Sequence, residues 1–205
     1  LGRTRVGLRG RHQAANVAVA DALLDALQTA GIATIPDDAR RRGYADARWP
    51  GRLELLRAEG RDILLDGAHN PAGAAALATA LDELRPFLGS GNVTLVTASM
   101  ADKDVGGVVR ALAAATSLRG ARVVATRIDL SRSLPAAELA AIWRSVGGDV
   151  AREITIEPDP QAALDRALAG PPGPIVVAGS LYLVGAIRAR LVNDPLLRDP
   201  VDNRP

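Results

Sequence analysis

The sequence predicts an α/β protein: a mainly parallel six-stranded sheet with one antiparallel edge strand, helices on both faces and a further helix ahead of it. Three observations carry that prediction. Short Val/Ile/Leu-rich runs alternate with stretches of helical periodicity, the pattern of strands covered on both faces by crossover helices. The junctions between them hold Gly, Ser, Asn, Asp and Pro, which turn the chain or start a helix. Gly60 separates the first two extended runs closely enough for a hairpin, and that hairpin supplies the antiparallel edge.

The elements follow in order. Residues 11–30 place Val17, Ala20, Leu24 and Leu27 at helical spacing, and Gly31 closes that helix, so 1–31 form a leading segment. Residues 32–48, with Pro36, Asp37-Asp38 and the run Arg40-Arg41-Arg42, read as a linker before Trp49-Pro50. The main domain is expected over 49–193, and the Pro/Asp/Arg-rich residues 194–205 read as a loose tail. Within the domain, 52–59 and 62–65 are the hairpin strands. A helix runs from Pro71 to Leu84, with Ala76, Leu77, Ala80, Leu81 and Leu84 on its buried face. Strands are then expected at 92–98, 121–126, 154–156 and 174–178, and helices at 105–118, 135–146, 160–169 and 181–191. There is no internal repeat.

Composition narrows the function. At 48% hydrophobic and 23% charged, the chain is an ordinary globular sequence. No apolar run reaches the roughly 18 residues that span a bilayer, and no signal segment opens it, so a cytoplasmic monomer without membrane contact is expected. A net charge of +2 and 2% aromatics argue against nucleic-acid binding. With no Cys there is no thiolate chemistry. Lys103 is the only lysine among 25 basic residues. The chain opens on Leu1 in mid-pattern, which reads as part of a longer polypeptide or a natural truncation.

The densest chemistry is Asp66-Gly67-Ala68-His69-Asn70-Pro71, at the end of a strand where a helix begins. Ligands of open α/β sheets bind in the crevice beyond such strand ends. Gly67 permits a tight turn or a close ligand approach. Asn70 suits the N-cap and Pro71 the first helical position. That explanation leaves the carboxylate of Asp66 and the imidazole of His69 for a ligand. Parallel strands would bring two more polar turns to the same crevice, residues 99–104 and Gly179-Ser180.

Together the motifs resemble a known family. Gly10-Arg11-His12-Gln13 with Asn16, Trp49-Pro50-Gly51-Arg52-Leu53-Glu54, the Asp66–Pro71 hexapeptide, Asp102-Lys103-Asp104 and Gly179-Ser180-Leu181-Tyr182 occur in that order. From about residue 8 to 191 the chain resembles the carboxy-terminal part of folylpolyglutamate synthase, including its bifunctional dihydrofolate synthase form, in the Mur ligase superfamily. The resemblance implies a Rossmann-like domain that closes over an upstream P-loop ATPase domain, whose last helix would be residues 11–30. It implies a ligase that joins L-glutamate to dihydropteroate or to the γ-carboxylate of a folate, using ATP and Mg²⁺ through an acyl phosphate.

Carried over by motif, Arg52 reaches the ATP phosphates, and its planar fork suits a pair of phosphate oxygens. Asp66 lies near the ribose and phosphates, Asn70 combines capping with a nucleotide contact, and Asn16, beside Gln13, meets the adenine. His69 faces the reacting phosphate and the glutamate, and Ser180, at a helix N-terminus, receives the glutamate carboxylate. His69, Asp66 and Arg52 are thus the expected catalytic group, with no metal ligand in this chain. His12 and Tyr182 are open between contact and packing. Lys103 is open between a phosphate-side role and an ion pair with Asp102 or Asp104.

Two family elements are absent. No Gly-x-x-x-x-Gly-Lys-Ser/Thr loop is present, and no second lysine stands near a metal site. The expectation is half of a catalytic cleft, inactive without its ATPase domain; the alternative is a non-catalytic nucleotide- or glutamate-binding module of this family. A generic dinucleotide-binding domain is disfavoured, because no Gly-x-Gly-x-x-Gly opens the first strand-to-helix turn.

Overall fold

The computed structural model describes residues 3–192. The tail 194–205, expected to be loose, lies outside the described residues. Two compact units emerge, Leu1–Glu54 and Leu55–Pro205.

The first unit holds α1 (His12–Thr29) and α2 (Asp37–Asp46). Gly31, at φ +69°, closes α1 as expected. Its N–H donates to the Gln28 carbonyl and that of Ile32 to the Leu27 carbonyl, both at 3.0 Å, the paired bonds of a Schellman cap. The segment read as a linker differs from expectation, since α2 occupies most of it. Arg40, in what reads as a solvated basic run, is buried. Its guanidinium donates to Asp21 (3.2 Å), Asp25 (2.5 Å) and Gln28 (3.2 Å) on α1, while Tyr44 Oη donates to Asp21 (3.0 Å). The Asp25 carboxylate raises the Arg40 pKa above its ordinary value. A polar stripe at positions 21, 25 and 28 therefore seats α2. Of the apolar residues at helical spacing, Val17, Ala20 and Leu24 are half-buried and Leu27 is exposed. Arg40→Met should strip α2 of this anchor, and amide hydrogen exchange should then show α2 losing protection while the second unit keeps its own.

The second unit's sheet starts at the boundary with β1 (Glu54–Ala58), followed by β2 (Arg61–Leu65). Glu59 (φ 50°) and Gly60 (φ 72°) are both left-handed, the two-residue turn that matches strand twist and makes the pair antiparallel. The remaining strands are β3 (Thr94–Thr97), β4 (Ala121–Ala125), β5 (Ala151–Ile156) and β6 (Ile175–Ala178). Their order is β1-β2-β6-β3-β4-β5, and all pairs from β2 onward are parallel. The predicted α/β class with one antiparallel edge strand is what the structure holds.

The chain runs outward through β2, β3, β4 and β5, then returns to insert β6 between β2 and β3. Right-handed crossovers therefore put α3 (Pro71–Leu84), α4 (Val105–Ala113) and α5 (Ala136–Val146) side by side on one face. The return places α6 (Pro160–Ala169) and α7 (Leu181–Val192) together on the other. Strand alternation feeds both layers: Ile63, Leu65, Val96, Ile175 and Val177 pack with Leu164, Leu183 and Ile187, and the intervening Leu64, Leu95, Val123 and Val176 are buried on the opposite face. Arg61 braces the loop into β6, donating to the carbonyls of Leu168, Gly170 and Gly173 at 2.8–3.1 Å.

The helix expected over 105–118 is shorter. α4 ends at Ala113, and a separate 3₁₀ turn spans Thr116–Leu118. Asp82 of α3 starts that turn by accepting the N–H groups of Thr116 (3.1 Å) and Ser117 (2.7 Å). Burial pushes the Asp82 pKa up, but these hydrogen bonds outweigh it and hold the group below the usual carboxylate range. Asp62 is likewise lowered, first by the Gly89 N–H (2.9 Å) and then by Arg57. A carboxyl whose folded pKa is depressed stabilises the fold above its ordinary pKa and loses that contribution as pH falls through the folded value. Thermal melts should therefore show stability declining below about pH 4. Asp62→Asn/Asp82→Asn should be less stable at pH 6 and flatter in its pH dependence.

Candidate functional site at the strand ends

Because β2, β6 and β3 are parallel neighbours, their carboxyl ends open side by side. The three turns leaving them share a cleft of about 480 Å³, lined by His69, Lys103, Arg132, Gly179, Ser180 and Tyr182 among others. A larger groove of about 540 Å³ runs along α6, β4 and β5, but its charges are already paired, Arg122 with Glu153 at 2.9 Å and Arg166 with Glu157 at 3.6 Å.

The turn after β2 is tightly organised. The Asp66 N–H extends the ladder to the Val177 carbonyl (3.0 Å), and its Oδ1 accepts the Ala68 N–H (2.9 Å). Asp66 is 4% exposed and is not among the residues that line the cleft. His69 Nδ1 is 2.8 Å from the Gly67 carbonyl, which can only accept, so Nδ1 carries the proton. In the neutral ring Nε2 is left as an uncommitted acceptor. Asn70 caps α3 as expected, its Oδ1 accepting the Gly73 N–H at 2.8 Å, with Pro71 at the first helical position.

Gly67 is not left-handed; the tight turn belongs to Gly179, at φ +102°. The Gly179 N–H donates to the Ala68 carbonyl (2.9 Å), tying the β6 turn to the β2 turn. A Cβ there would sit 2.3 Å from the Ala98 carbonyl oxygen and 2.7 Å from Thr97 Oγ1. Ser180 follows at the N-terminus of α7, its Oγ buried and without a hydrogen-bond partner. That hydroxyl is an unfilled donor and acceptor beside the cleft.

On the turn after β3, Asp104 caps α4 through the Gly107 N–H (2.8 Å), so the partner of Lys103 is Asp102, at 3.6 Å. Asp102 Oδ2 is also 3.6 Å from Arg132 Nη1. Sequence reasoning missed Arg132. It sits in Ser131-Arg132-Ser133 after β4, and the signal was available, since β4 follows β3 and a neighbouring parallel strand must open at the same edge.

The remaining expected residues lie in the first unit. Gly51 (φ 70°) and Leu53 (φ 44°) are both left-handed, and the fully buried Leu53 pins the strained loop between them. The Gly51 N–H donates to Glu54 Oε2 (2.7 Å) and Arg9 to the Leu53 carbonyl (3.2 Å). Arg52 projects from this loop exposed, its guanidinium making no hydrogen bond or ion pair with a described residue. Buried Gln13 bridges His12 Nε2 and the Asn16 amide, each at 2.9 Å, so His12 packs within a polar chain that orients the exposed Asn16. His69, Lys103 and Ser180 thus meet in one cleft, Asp66 and Asn70 brace the turn and the helix start beside it without lining it, and Arg52 and Asn16 belong to the other unit. Among the described residues no set of three His, Asp or Glu is arranged to hold a metal ion, and no helix is long and apolar enough to cross a membrane.

Residues 51–181 match the family model described as Mur ligase, glutamate ligase domain. The chain is 35% identical over 186 residues to the probable bifunctional folylpolyglutamate synthase/dihydropteroate synthase of Haloferax volcanii, covering 90% of this chain and 20% of that protein. It is 34% identical to the dihydrofolate synthase/folylpolyglutamate synthase of Mycobacterium tuberculosis, covering 92% and 40%. The crystal structure of Mycobacterium tuberculosis folylpolyglutamate synthase complexed with ADP and AMPPCP superposes with a TM-score of 0.73 at 32% identity, over 93% of this chain and 42% of that one. The chain spans well under half the length of these relatives.

Proposed function

The chain belongs to the Mur ligase, glutamate ligase domain family, and from that membership we propose that it is the glutamate-side part of an ATP-dependent ligase adding L-glutamate to dihydropteroate or to the γ-carboxylate of folates. The observation that carries the reading is the cleft itself: a free imidazole nitrogen, two cations and a buried unpaired hydroxyl on the turns that leave β2, β6, β3 and β4. The alignment of nine tenths of the chain with folylpolyglutamate synthases adds to it.

The donor set fits the nucleotide only in part. Arg52 offers an uncommitted guanidinium for phosphate oxygens and Asn16 an exposed amide for the base. The single lysine stands in Ala-Asp-Lys-Asp instead of a glycine-rich loop, and the described residues offer no carboxylate cluster for Mg²⁺. Most phosphate and metal contacts are therefore assigned to an upstream P-loop domain. ATP supplies the activation, converting the acceptor carboxylate to an acyl phosphate whose phosphate then leaves.

This chain's residues act on the nucleophile. The glutamate amine attacks the acyl carbon, the C–N bond forms as the C–O bond to phosphate breaks, and the amine must shed a proton. His69 Nε2 is the acceptor placed for it, with Nδ1 anchored on Gly67 so that the ring cannot swing. Ser180 and the α7 N-terminus take a glutamate carboxylate once the hydroxyl turns into the cleft. Asp66 holds the turn that carries His69, and Asn70 caps the helix behind it.

Steady-state assay with ATP, L-glutamate and a folate tests the reading. The polypeptide that carries this chain behind a P-loop domain should release ADP and glutamylated folate, and these 205 residues alone should release neither. Robust turnover by the 205 residues would overturn the division of labour. No turnover by the longer polypeptide would favour a binding module instead.

A further inference from the structure

We propose that Leu53 is a positioning residue: clamped by Arg9 and Gly10, it fixes the loop that presents Arg52 to the phosphate groups of a nucleotide. The proposal rests on the reading of Arg52 as a phosphate contact. It starts from the backbone just ahead of β1. Gly51, Arg52 and Leu53 run buried, exposed, buried, and the two buried residues are both left-handed, at φ 70° and 44°. Glycine takes that conformation freely. Leucine does not, and a non-glycine residue held there persists only where its surroundings over-determine it.

Those surroundings come from the residues that lead into α1, 44 positions earlier in the chain. Arg9 Nη1 donates to the Leu53 carbonyl at 3.2 Å. Gly10, itself at φ +96°, packs against the Leu53 side chain: a Cβ on it would stand 2.8 Å from Leu53 Cδ1 and 2.6 Å from His12 Cε1. Only glycine leaves Leu53 the space to seat there fully buried. The Gly10 carbonyl also accepts the Gln13 N–H at 3.0 Å, so the seat is built on the first turn of the helix that carries Asn16. Local bonds close the rest of the loop. The Arg52 N–H donates to the Trp49 carbonyl at 3.2 Å and the Gly51 N–H to Glu54 Oε2 at 2.7 Å. All of these bonds go to the backbone around Arg52 and none to its guanidinium. The side chain is held at its base and free at its tip. Binding a polyphosphate then orders one side chain instead of a whole loop, which lowers the entropic cost of the contact.

NMR titration of the 205-residue chain with inorganic tripolyphosphate tests this. Arg52→Ala removes the contact itself and should weaken binding about tenfold. Leu53→Gly relieves the left-handed strain while removing the plug, and Arg9→Ala removes the clamp from an exposed position without opening a buried cavity. Each should weaken binding about fivefold, through the loop that must now be ordered. Leu53→Met, which keeps the volume, should restore most of the affinity. In an Arg52→Ala background neither Leu53→Gly nor Arg9→Ala should cost anything more, because both act through Arg52. Wild-type affinity in Leu53→Gly and Arg9→Ala overturns the proposal and leaves the phosphate reading of Arg52 standing. A further loss in the Arg52→Ala background marks a general structural effect or a direct contact, and also overturns it. Wild-type affinity in Arg52→Ala, or a wild type that binds no tripolyphosphate, overturns both.

Discussion

Gly179→Ala should collapse the cleft and lower stability by about 3 kcal/mol, combining left-handed strain with a backbone clash. Gly179 sits at φ +102°, where a side chain is disfavoured, and its added Cβ would lie 2.3 Å from the Ala98 carbonyl oxygen. Neither neighbour can yield easily. Ala98 directly follows β3, beside the β6 strand that delivers Gly179, and both strands are fully buried. The Gly179 N–H also holds the Ala68 carbonyl, so movement here drags the turn that carries His69. Urea denaturation should show a lower midpoint with little change in slope. An unchanged midpoint would mean that the two turns are not coupled as described.

The second large effect concerns His69. On the proposed function, and assayed behind a P-loop ATPase domain, His69→Ala should lower kcat by about 10²–10³-fold, the range for loss of a positioned general base. Two conservative variants separate chemistry from architecture. His69→Asn can keep an N–H near Nδ1 for the Gly67 carbonyl but has nothing at Nε2, so it should be nearly as impaired as alanine. His69→Gln can place an oxygen acceptor near Nε2 and should recover part of kcat. Unchanged melting temperatures in all three would assign the loss to the reaction. Full activity in His69→Asn would remove Nε2 from the mechanism.

The parts of the fold that were legible in the sequence are those decided locally. Asn70 and Pro71 start α3 because both satisfy the first turn, Gly31 ends α1 because it takes φ +69° without strain, and Gly60 makes the hairpin for the same reason. What stayed hidden depends on partners distant in sequence. α2 looks like a linker because its charged residues show no apolar face; its anchor is Arg40, buried among Asp21, Asp25 and Gln28 of α1. The 105–118 helix breaks because Asp82, from another helix, captures the N–H groups of residues 116 and 117.

The site divides in the same way. His69, Lys103 and Ser180 converge as expected because parallel strands place successive turns at one edge. Arg132 joins them through the adjacency of β3 and β4, which the succession of the two strands in the chain favours. Asp66, legible as a carboxylate at the strand end, is buried, and its Oδ1 accepts the Ala68 N–H within the turn that carries His69, a local bond that the motif does not announce.

The most direct test of the cleft as the glutamate side of a ligase is a chemical-shift map of the wild-type chain with saturating L-glutamate. The account predicts shifts concentrated at residues 67–70, 101–104, 132 and 179–182, the turns after β2, β3, β4 and β6. Shifts confined to the α6 groove, or none at saturation, would contradict it.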